Sequence, residues 1–316
     1  MTGLKPHAAP GSTASAPQQG AIMIGGIDLG GTKIEARLFD DTAERTHDMR
    51  RVPTPLDDFD ALFAGLTAQI DWLRDQAGDP ALAVGVCVPG VIDPQTGAVW
   101  AANVPLAGQD LGAALTAHYG RSFPVVVDSM AFAYSETHGG AGQDGRCVLG
   151  LVLGTGVGAG LCLDGAFPPR AAGLAVEIGH VGVPARALAR HGLPLWGCGC
   201  GRAGCWETCI SGTGLARLAS HVTGQAGPAE QVTDPATLDI WADLTGEALA
   251  TLQNLIDPDV IVIGGGLSRR ADLIARLPAA LEMHRLGQTR APAIRVARHG
   301  DSSGARGAAL LAATRC

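Results

Sequence analysis

One internal repeat limits what this chain can fold into more than any other feature. Residues 22–40 read IMIGGIDLGGTKIEARLFD, and residues 146–165 read RCVLGLVLGTGVGAGLCLDG. Aligning Gly26 with Gly150 brings Leu29 onto Leu153, Gly30 onto Gly154 and Asp40 onto Asp164, at a constant offset of 124 residues. Each copy is an apolar strand, a glycine-threonine turn, a second strand and a turn aspartate. In the first, Ile22, Ile24 and Ile27 precede the turn, and Ile34, Ala36 and Leu38 follow it with strand alternation. A repeat of this kind implies two related lobes facing each other.

The rest of the chain alternates strands and helices. Residues 57–77, DDFDALFAGLTAQIDWLRDQA, carry apolar side chains at helical spacing behind an acidic start. ALAVGVCVPGVID is a short buried strand ending in Pro-Gly, LGAALTAHYG a helix, and FPVVVDSMAFAYSE a strand running into a helix. DPDVIVIGGGLSRR is an apolar strand ending in glycines, and GARGAALLAATR a helix of small residues. This order predicts an α/β fold. With 316 residues, 47% of them hydrophobic, there is material for two cores.

Three glycine loops, DLGGTK, LGTGVG and IGGGLS, follow apolar strands. Glycine there lets backbone amides approach phosphate oxygens. They supply Asp28, Gly30, Gly31, Thr32 and Lys33, then Gly154, Thr155, Gly156 and Gly158, then Gly265 and Gly266. No GxxxxGK[ST] P-loop is present, and the set does not read as a plain dinucleotide fold. Duplicated glycine hairpins point to an ATP cleft between two lobes.

Net charge is −7, with no basic block, which argues against nucleic acid or an anionic membrane surface as partner. No apolar run reaches the ~18 residues of a spanning helix. Residues 1–20 are rich in Ala, Pro, Gly and Ser without a signal-peptide pattern, and are expected to be a disordered extension. The eight cysteines are expected in a reducing cytoplasm, where close spacing favours metal or catalysis over disulfides.

Taken together, GIDLGGTK, GVCVPGVID, LGTGVGAG, EIGH, CGCGRAGCWE and IVIGGGLS, in this order, resemble the ROK family of sugar kinases and related repressors, over essentially all of residues 22–314. That resemblance implies a two-lobed actin-like ATPase (ribonuclease H-like) fold with a duplicated βββαβα core and a zinc-stabilised loop. The expected lobes are residues 21–135, with the C-terminal helix 304–316 packing back, and residues 136–303. It also implies an ATP-dependent sugar kinase, a homodimer, and Mg²⁺ with the ATP. The repressors carry a helix-turn-helix unit before the first glycine hairpin, and about twenty Pro/Ala/Gly/Ser-rich residues are too few for one.

His180 of EIGH, eighteen residues before Cys198, joins Cys198, Cys200 and Cys205 in a Cys3His set, the composition of a closed tetrahedral zinc site. The resemblance implies these same four ligands. Asp128 is the candidate general base: it ends the strand FPVVVD, precedes a helix, and matches the family's base in the motif. Asp28 is the expected carboxylate near Mg²⁺. By the resemblance, Glu177, His180 and Glu207 contact the sugar, and Asn103 of AANVPL lies in the substrate loop.

One departure stands out. The family usually reads Asn-Asp-Ala-Asn around its base, and this chain reads Val127-Asp128-Ser129-Met130, so an apolar side chain replaces one that binds sugar hydroxyls. RVPTP, AANVPL and LARHGLPLWGCGCG resemble bacterial N-acetylglucosamine kinases, while ETCISGTG and ARHGDSSGARGAA are as close to fructokinases or mannokinases. The Asn-Val-Pro loop favours N-acetyl-D-glucosamine, phosphorylated on its 6-hydroxyl. A non-catalytic sugar binder is the remaining alternative, motivated by Val127.

Overall fold

The first glycine hairpin opens a five-stranded sheet. A computed structural model describes residues 22–314; the expected extension 1–20, and residues 315–316 of the expected C-terminal helix, lie outside the described residues. The first half runs β1 (Met23–Leu29), β2 (Lys33–Asp40), β3 (Thr46–Pro53), α1 (Phe59–Ala77), β4 (Ala83–Val88), the short ribbon β5 (Val91–Ile92) and β6 (Val99–Trp100), α2 (Leu111–Tyr119), β7 (Val125–Val127) and α3 (Asp128–Thr137). Its sheet is ordered β3-β2-β1-β4-β7, with β1–β3 antiparallel and β4 and β7 parallel to β1. The helix expected over 57–77 forms: Asp58 caps it by accepting from the Ala61 amide at 2.8 Å, and Gly78 ends it in the left-handed region.

The second half holds β8 (Cys147–Leu153), β9 (Val157–Leu163), α4 (Ala185–His191), α5 (Glu207–Ile210), α6 (Gly212–Thr223), α7 (Pro235–Ile256), β10 (Val260–Gly264), α8 (Ala271–Ile274), α9 (Leu277–His284), β11 (Ala293–Val296) and α10 (Ser303–Ala313). Its sheet is ordered β11-β10-β8-β9. The duplicated plan is thus realised with one strand fewer. Where the first sheet adds β3, the chain leaves β9 through AFPPRAAGLA; Pro168 and Pro169 have no amide to donate to a ladder, and only Leu163 and Ala166 form a bridge.

The aligned glycines of the repeat do equivalent work. A Cβ on Gly26 would lie 1.9 Å from the Ala305 carbonyl, so α10 crosses directly over β1. A Cβ on Gly150 would lie 2.7 Å from the Phe132 ring and 3.0 Å from the Ala133 Cα, so α3 crosses β8 in the same way. The two helices also touch each other, since a Cβ on Gly307 would lie 1.9 Å from the Ala131 carbonyl. They form the layer between the sheets.

That layer is pinned by buried charge. Glu136, 0% exposed at the end of α3, accepts from the amides of Ala141, Arg298 and His299 at 2.9, 2.9 and 3.1 Å and from Ser303 Oγ at 2.8 Å. A buried carboxylate is tolerated when its lone pairs are filled in this way. Arg306 of α10, also buried, donates to the Ala43 carbonyl at 2.8 Å and to the Ser135 carbonyl at 2.6 Å. Among the described residues no helix is long and apolar enough to cross a membrane.

Candidate active site

The first glycine loop closes the end of β1, and the second and third meet at the ends of β8 and β10. Gly30 closes the first turn by donating to the Lys33 carbonyl at 2.9 Å, and Thr54 Oγ1 braces it by donating to the Gly30 carbonyl at 2.6 Å. The second turn is closed by the Gly154 amide on the Gly156 carbonyl at 3.0 Å. The start of α6 docks on it: the Gly212 amide donates to the Gly154 carbonyl at 2.7 Å, and Thr213 Oγ1 to the Thr155 carbonyl at 2.9 Å. Gly265, at φ +79°, lies so close that a Cβ would be 2.6 Å from the Leu153 carbonyl, which brings the third loop onto the second. Asn103, exposed, backs onto the first turn, 3.3 Å from a Cβ position on Gly31.

Two carboxylates lie at the strand ends. Asp28 is near the end of β1 and accepts a hydrogen bond from the Cys87 thiol at 3.4 Å. Burial raises its pKa, against the cysteine bond. Asp128 is the first residue of α3, directly after β7, and accepts the Ser129 amide at 2.5 Å. Burial pushes Asp128 up to about 6, and the charges of Asp28 and Glu177 push in the same direction. These three acids therefore share one electrostatic neighbourhood. A carboxyl poised near neutrality is suited to accept a proton from an alcohol. Val127 stands at the N-cap position of α3 with no side-chain cap, 3% exposed, in an apolar cluster with Cys87, Met130 and Ala131.

Lys33 and Glu207 each have partners within the protein. The Lys33 ammonium pairs with Glu35 at 2.9 Å. Glu207, expected at the sugar, uses Oε2 to accept the Val157 amide at 3.0 Å and Oε1 to accept from Cys198 Sγ at 3.6 Å. The signal for Glu35 lay in KIEAR, whose alternation puts Lys33, Glu35 and Arg37 on one face of β2. Cys87, Thr54 and Arg51 also join the site, and nothing in their local sequence singled them out.

His180 ends the 3-10 turn that Glu177 begins. Its ligand atom and those of Cys198, Cys200 and Cys205 all lie within 4.8 Å of one another. His180 Nδ1 is 3.6 Å from Cys198 Sγ, and Cys200 Sγ is 3.6 Å from Cys205 Sγ. Tetrahedral zinc with Zn–S of 2.3 Å separates its sulfurs by about 3.8 Å, so this cluster could bind a metal such as zinc. In the metal-free cluster the Arg202 amide and side chain lower the Cys200 thiol to about 6, while burial raises those of Cys198 and Cys205.

Comparisons with known proteins place the chain in a family. The ROK family model matches residues 24–315. An N-acetylgalactosamine kinase of Shewanella sp. (strain ANA-3) is 42% identical over 92% of this chain and 96% of its own length. An N-acetyl-D-glucosamine kinase of Escherichia coli O157:H7 is 38% identical over 92% of this chain and 99% of its own. Among solved structures, a ROK hexokinase from Thermus thermophilus superposes with a TM-score of 0.78 at 31% identity, covering 93% of this chain and 98% of that one. A ROK family glucokinase from Streptomyces griseus, in complex with glucose and AMPPNP, gives 0.74 at 28% identity over 92% and 98%. On its sequence and on its two-sheet architecture, this chain belongs to the ROK family and has the actin-like ATPase fold.

Proposed function

We propose that this protein is an ATP-dependent sugar kinase that phosphorylates the 6-hydroxyl of an N-acetylhexosamine, with Asp128 as general base. The observation that supports the reading is Asp128, buried at the start of α3 directly after β7, with its pKa raised by burial and by the charges of Asp28 and Glu177. The sugar hydroxyl gives its proton to Asp128 as its oxygen bonds the terminal phosphorus, and the bond from that phosphorus to the ADP oxygen breaks. Asp28 is the carboxylate assigned to Mg²⁺, which would neutralise charge on the phosphates. The amides of the turns at residues 30–33 and 154–158, with the loop at 265–266, are assigned to the nucleotide.

The sugar side is assigned to Asn103, Glu177 and His180, with Glu207 holding the Val157 amide behind them. His180, Cys198, Cys200 and Cys205 would hold zinc in a closed structural site, fixing the His180 ring and the loop before α5. N-acetyl-D-glucosamine is the first choice of sugar, on the Asn-Val-Pro loop and the relative at 38% identity. N-acetylgalactosamine is the second, because the 42% identical relative is named for it and because Val127 removes a polar contact from the pocket. A homodimer and a cytoplasmic location belong to the same reading.

The test is ADP release with Mg-ATP across N-acetylglucosamine, N-acetylgalactosamine, N-acetylmannosamine, glucose, mannose and fructose, with Asp128→Asn alongside. Turnover on an N-acetylhexosamine, lost in the variant, supports both substrate and base. Preference for fructose or mannose moves the chain to the other subgroup. Silence on every sugar from folded, metal-loaded protein rejects the kinase reading.

A further inference from the structure

Glu35 sits within a row of four residues that crosses the first sheet. The register pairs Arg51 of β3 with Glu35 of β2, Glu35 with Asp28 of β1, and Asp28 with Cys87 of β4. Residues directly opposite across strands share a face. That face is the one α10 covers, and α10 stops at the row: a Cβ on Gly304 would lie 3.2 Å from both Asp28 Oδ2 and Cys87 Sγ. Two strand spacings, about 10 Å, separate the backbones of Arg51 and Asp28. Lys33 and Arg37 lie two residues to either side of Glu35 on the same face.

The Glu35 side chain is 0% exposed and receives three cations. Arg51 Nε donates to Oε2 at 2.5 Å, Lys33 Nζ to the same oxygen at 2.9 Å, and Arg37 Nε to Oε1 at 2.5 Å. Asp28, next in the row, and Asp301 add their negative charge around Arg51, so Glu35 is not the only acid facing these cations.

The way the arginines are held is more telling. Both reach Glu35 through Nε. Among the described residues, neither guanidinium donates a hydrogen bond from its outer nitrogens, Nη1 and Nη2. That outer edge is the fork that grips a phosphate. The Arg51 and Lys33 side chains keep 44% and 42% exposure, whereas Arg37 keeps 14%. Arg50, on the opposite face of β3, is committed instead to structure: Nε donates to Gln69 at 2.7 Å, Nη2 donates to the Ala68 carbonyl at 2.7 Å, and the guanidinium stacks over Trp72.

We infer that Arg51, with Lys33 beside it, binds the terminal phosphate of the nucleotide, and that Glu35 is a positioning residue that aims the Arg51 guanidinium at it. The inference rests on the kinase reading and names who holds the transferred group. Arg51 and Lys33 would meet a dianionic terminal phosphate beside the first glycine turn, whereas a neutral sugar offers them nothing. Asp28, next in the row, would hold the Mg²⁺ that neutralises charge on the same phosphate.

The test uses the full-length protein and calorimetric binding of AMPPNP and AMP. Arg51→Gln is expected to weaken AMPPNP at least tenfold while leaving AMP binding and the sugar KM unchanged. Glu35→Gln is expected to show the same AMPPNP-specific loss at smaller size, and Arg50→Gln to change neither ligand. Equal losses for both nucleotides, or none, overturn the assignment. Should Arg51→Gln fail to fold, phenylglyoxal labelling of the wild-type protein, mapped by peptide mass spectrometry, decides. AMPPNP should protect Arg51, AMP should not, and Arg50 should be indifferent; labelling of Arg51 unaffected by AMPPNP sinks the idea. Wild-type protein that binds neither nucleotide and turns over no sugar removes the kinase reading with it, whereas intact wild-type binding with an unchanged Arg51→Gln removes the Arg51 assignment alone.

Discussion

Glu207 and Val157 lie fifty residues apart in sequence and are joined by a 3.0 Å hydrogen bond from the Val157 amide to Oε2. The other oxygen of Glu207 lies 3.6 Å from Cys198 Sγ, so one carboxylate sits between the second glycine hairpin and the cysteine cluster. Val157 is 8% exposed. Truncating the acceptor leaves its amide unsatisfied, at a cost of about 1–3 kcal/mol. Glu207→Ala is therefore expected to lower the melting temperature and raise KM for ATP as well as for sugar, while Glu207→Gln, which keeps an acceptor oxygen, preserves stability. If the alanine variant raised only the sugar KM at unchanged stability, the carboxylate would be a sugar contact and not a tie.

Asp128 carries a prediction with two signs. As a base it must be ionised, so kcat/KM should be lost as pH falls through about 6, the value to which burial pushes it. For stability the sign is opposite to that of a paired carboxylate. The folded state binds its proton more tightly than the unfolded state, whose pKa is near 3.8, so stability falls as pH rises from about 4 to 6. The shift is worth roughly 3 kcal/mol at pH 7. Asp128→Asn should cut turnover by about 100-fold or more, yet melt at a higher temperature than wild type at pH 7, with the difference gone by about pH 4. A flat pH profile, or no gain in stability, would count against a buried, neutral-range base.

Much of this site was legible because its signals are local. The repeat predicted that Gly26 and Gly150 do the same job, and each receives a crossing helix. Cys198, Cys200 and Cys205 are packed into one loop, and only His180 had to be brought in from outside it. The row Arg51–Glu35–Asp28–Cys87 was not legible, because it is made by strand register. Arg51 reaches Glu35 across a ladder whose register shifts at Leu38/Phe39, and no spacing rule yields that partner. The second sheet lacks a counterpart of β3 for a local reason, the Pro-Pro pair after β9, which was present in the sequence and unread.

The cysteine cluster makes a prediction independent of turnover. Purified protein should contain about one zinc per chain by emission spectroscopy. Cobalt exchanged into it should give the intense visible bands and thiolate charge transfer of a tetrahedral sulfur-rich site. Cys205, 1% exposed, cannot be replaced by water as a donor without opening the loop, so Cys205→Ser should lose metal and stability together. Cys209→Ser, four residues on and outside the cluster, should keep its zinc. Substoichiometric metal, or an octahedral cobalt spectrum, would contradict a closed Cys3His site.

Val127→Asn tests the departure before the base. Val127 is buried at the N-cap position of α3. Asparagine there loses about 1.5–3 kcal/mol of apolar burial and recovers about 1 kcal/mol by capping the helix. The unliganded variant should therefore be modestly less stable than wild type. The new amide also offers a partner to a sugar hydroxyl, worth about 0.5–1.5 kcal/mol, so KM for the preferred N-acetylhexosamine should fall several-fold and added sugar should restore the lost stability. A folded variant whose KM is unchanged would show that residue 127 does not face the sugar, and the choice between N-acetylglucosamine and N-acetylgalactosamine would then have to lie with Asn103, Glu177 and the loop that carries them.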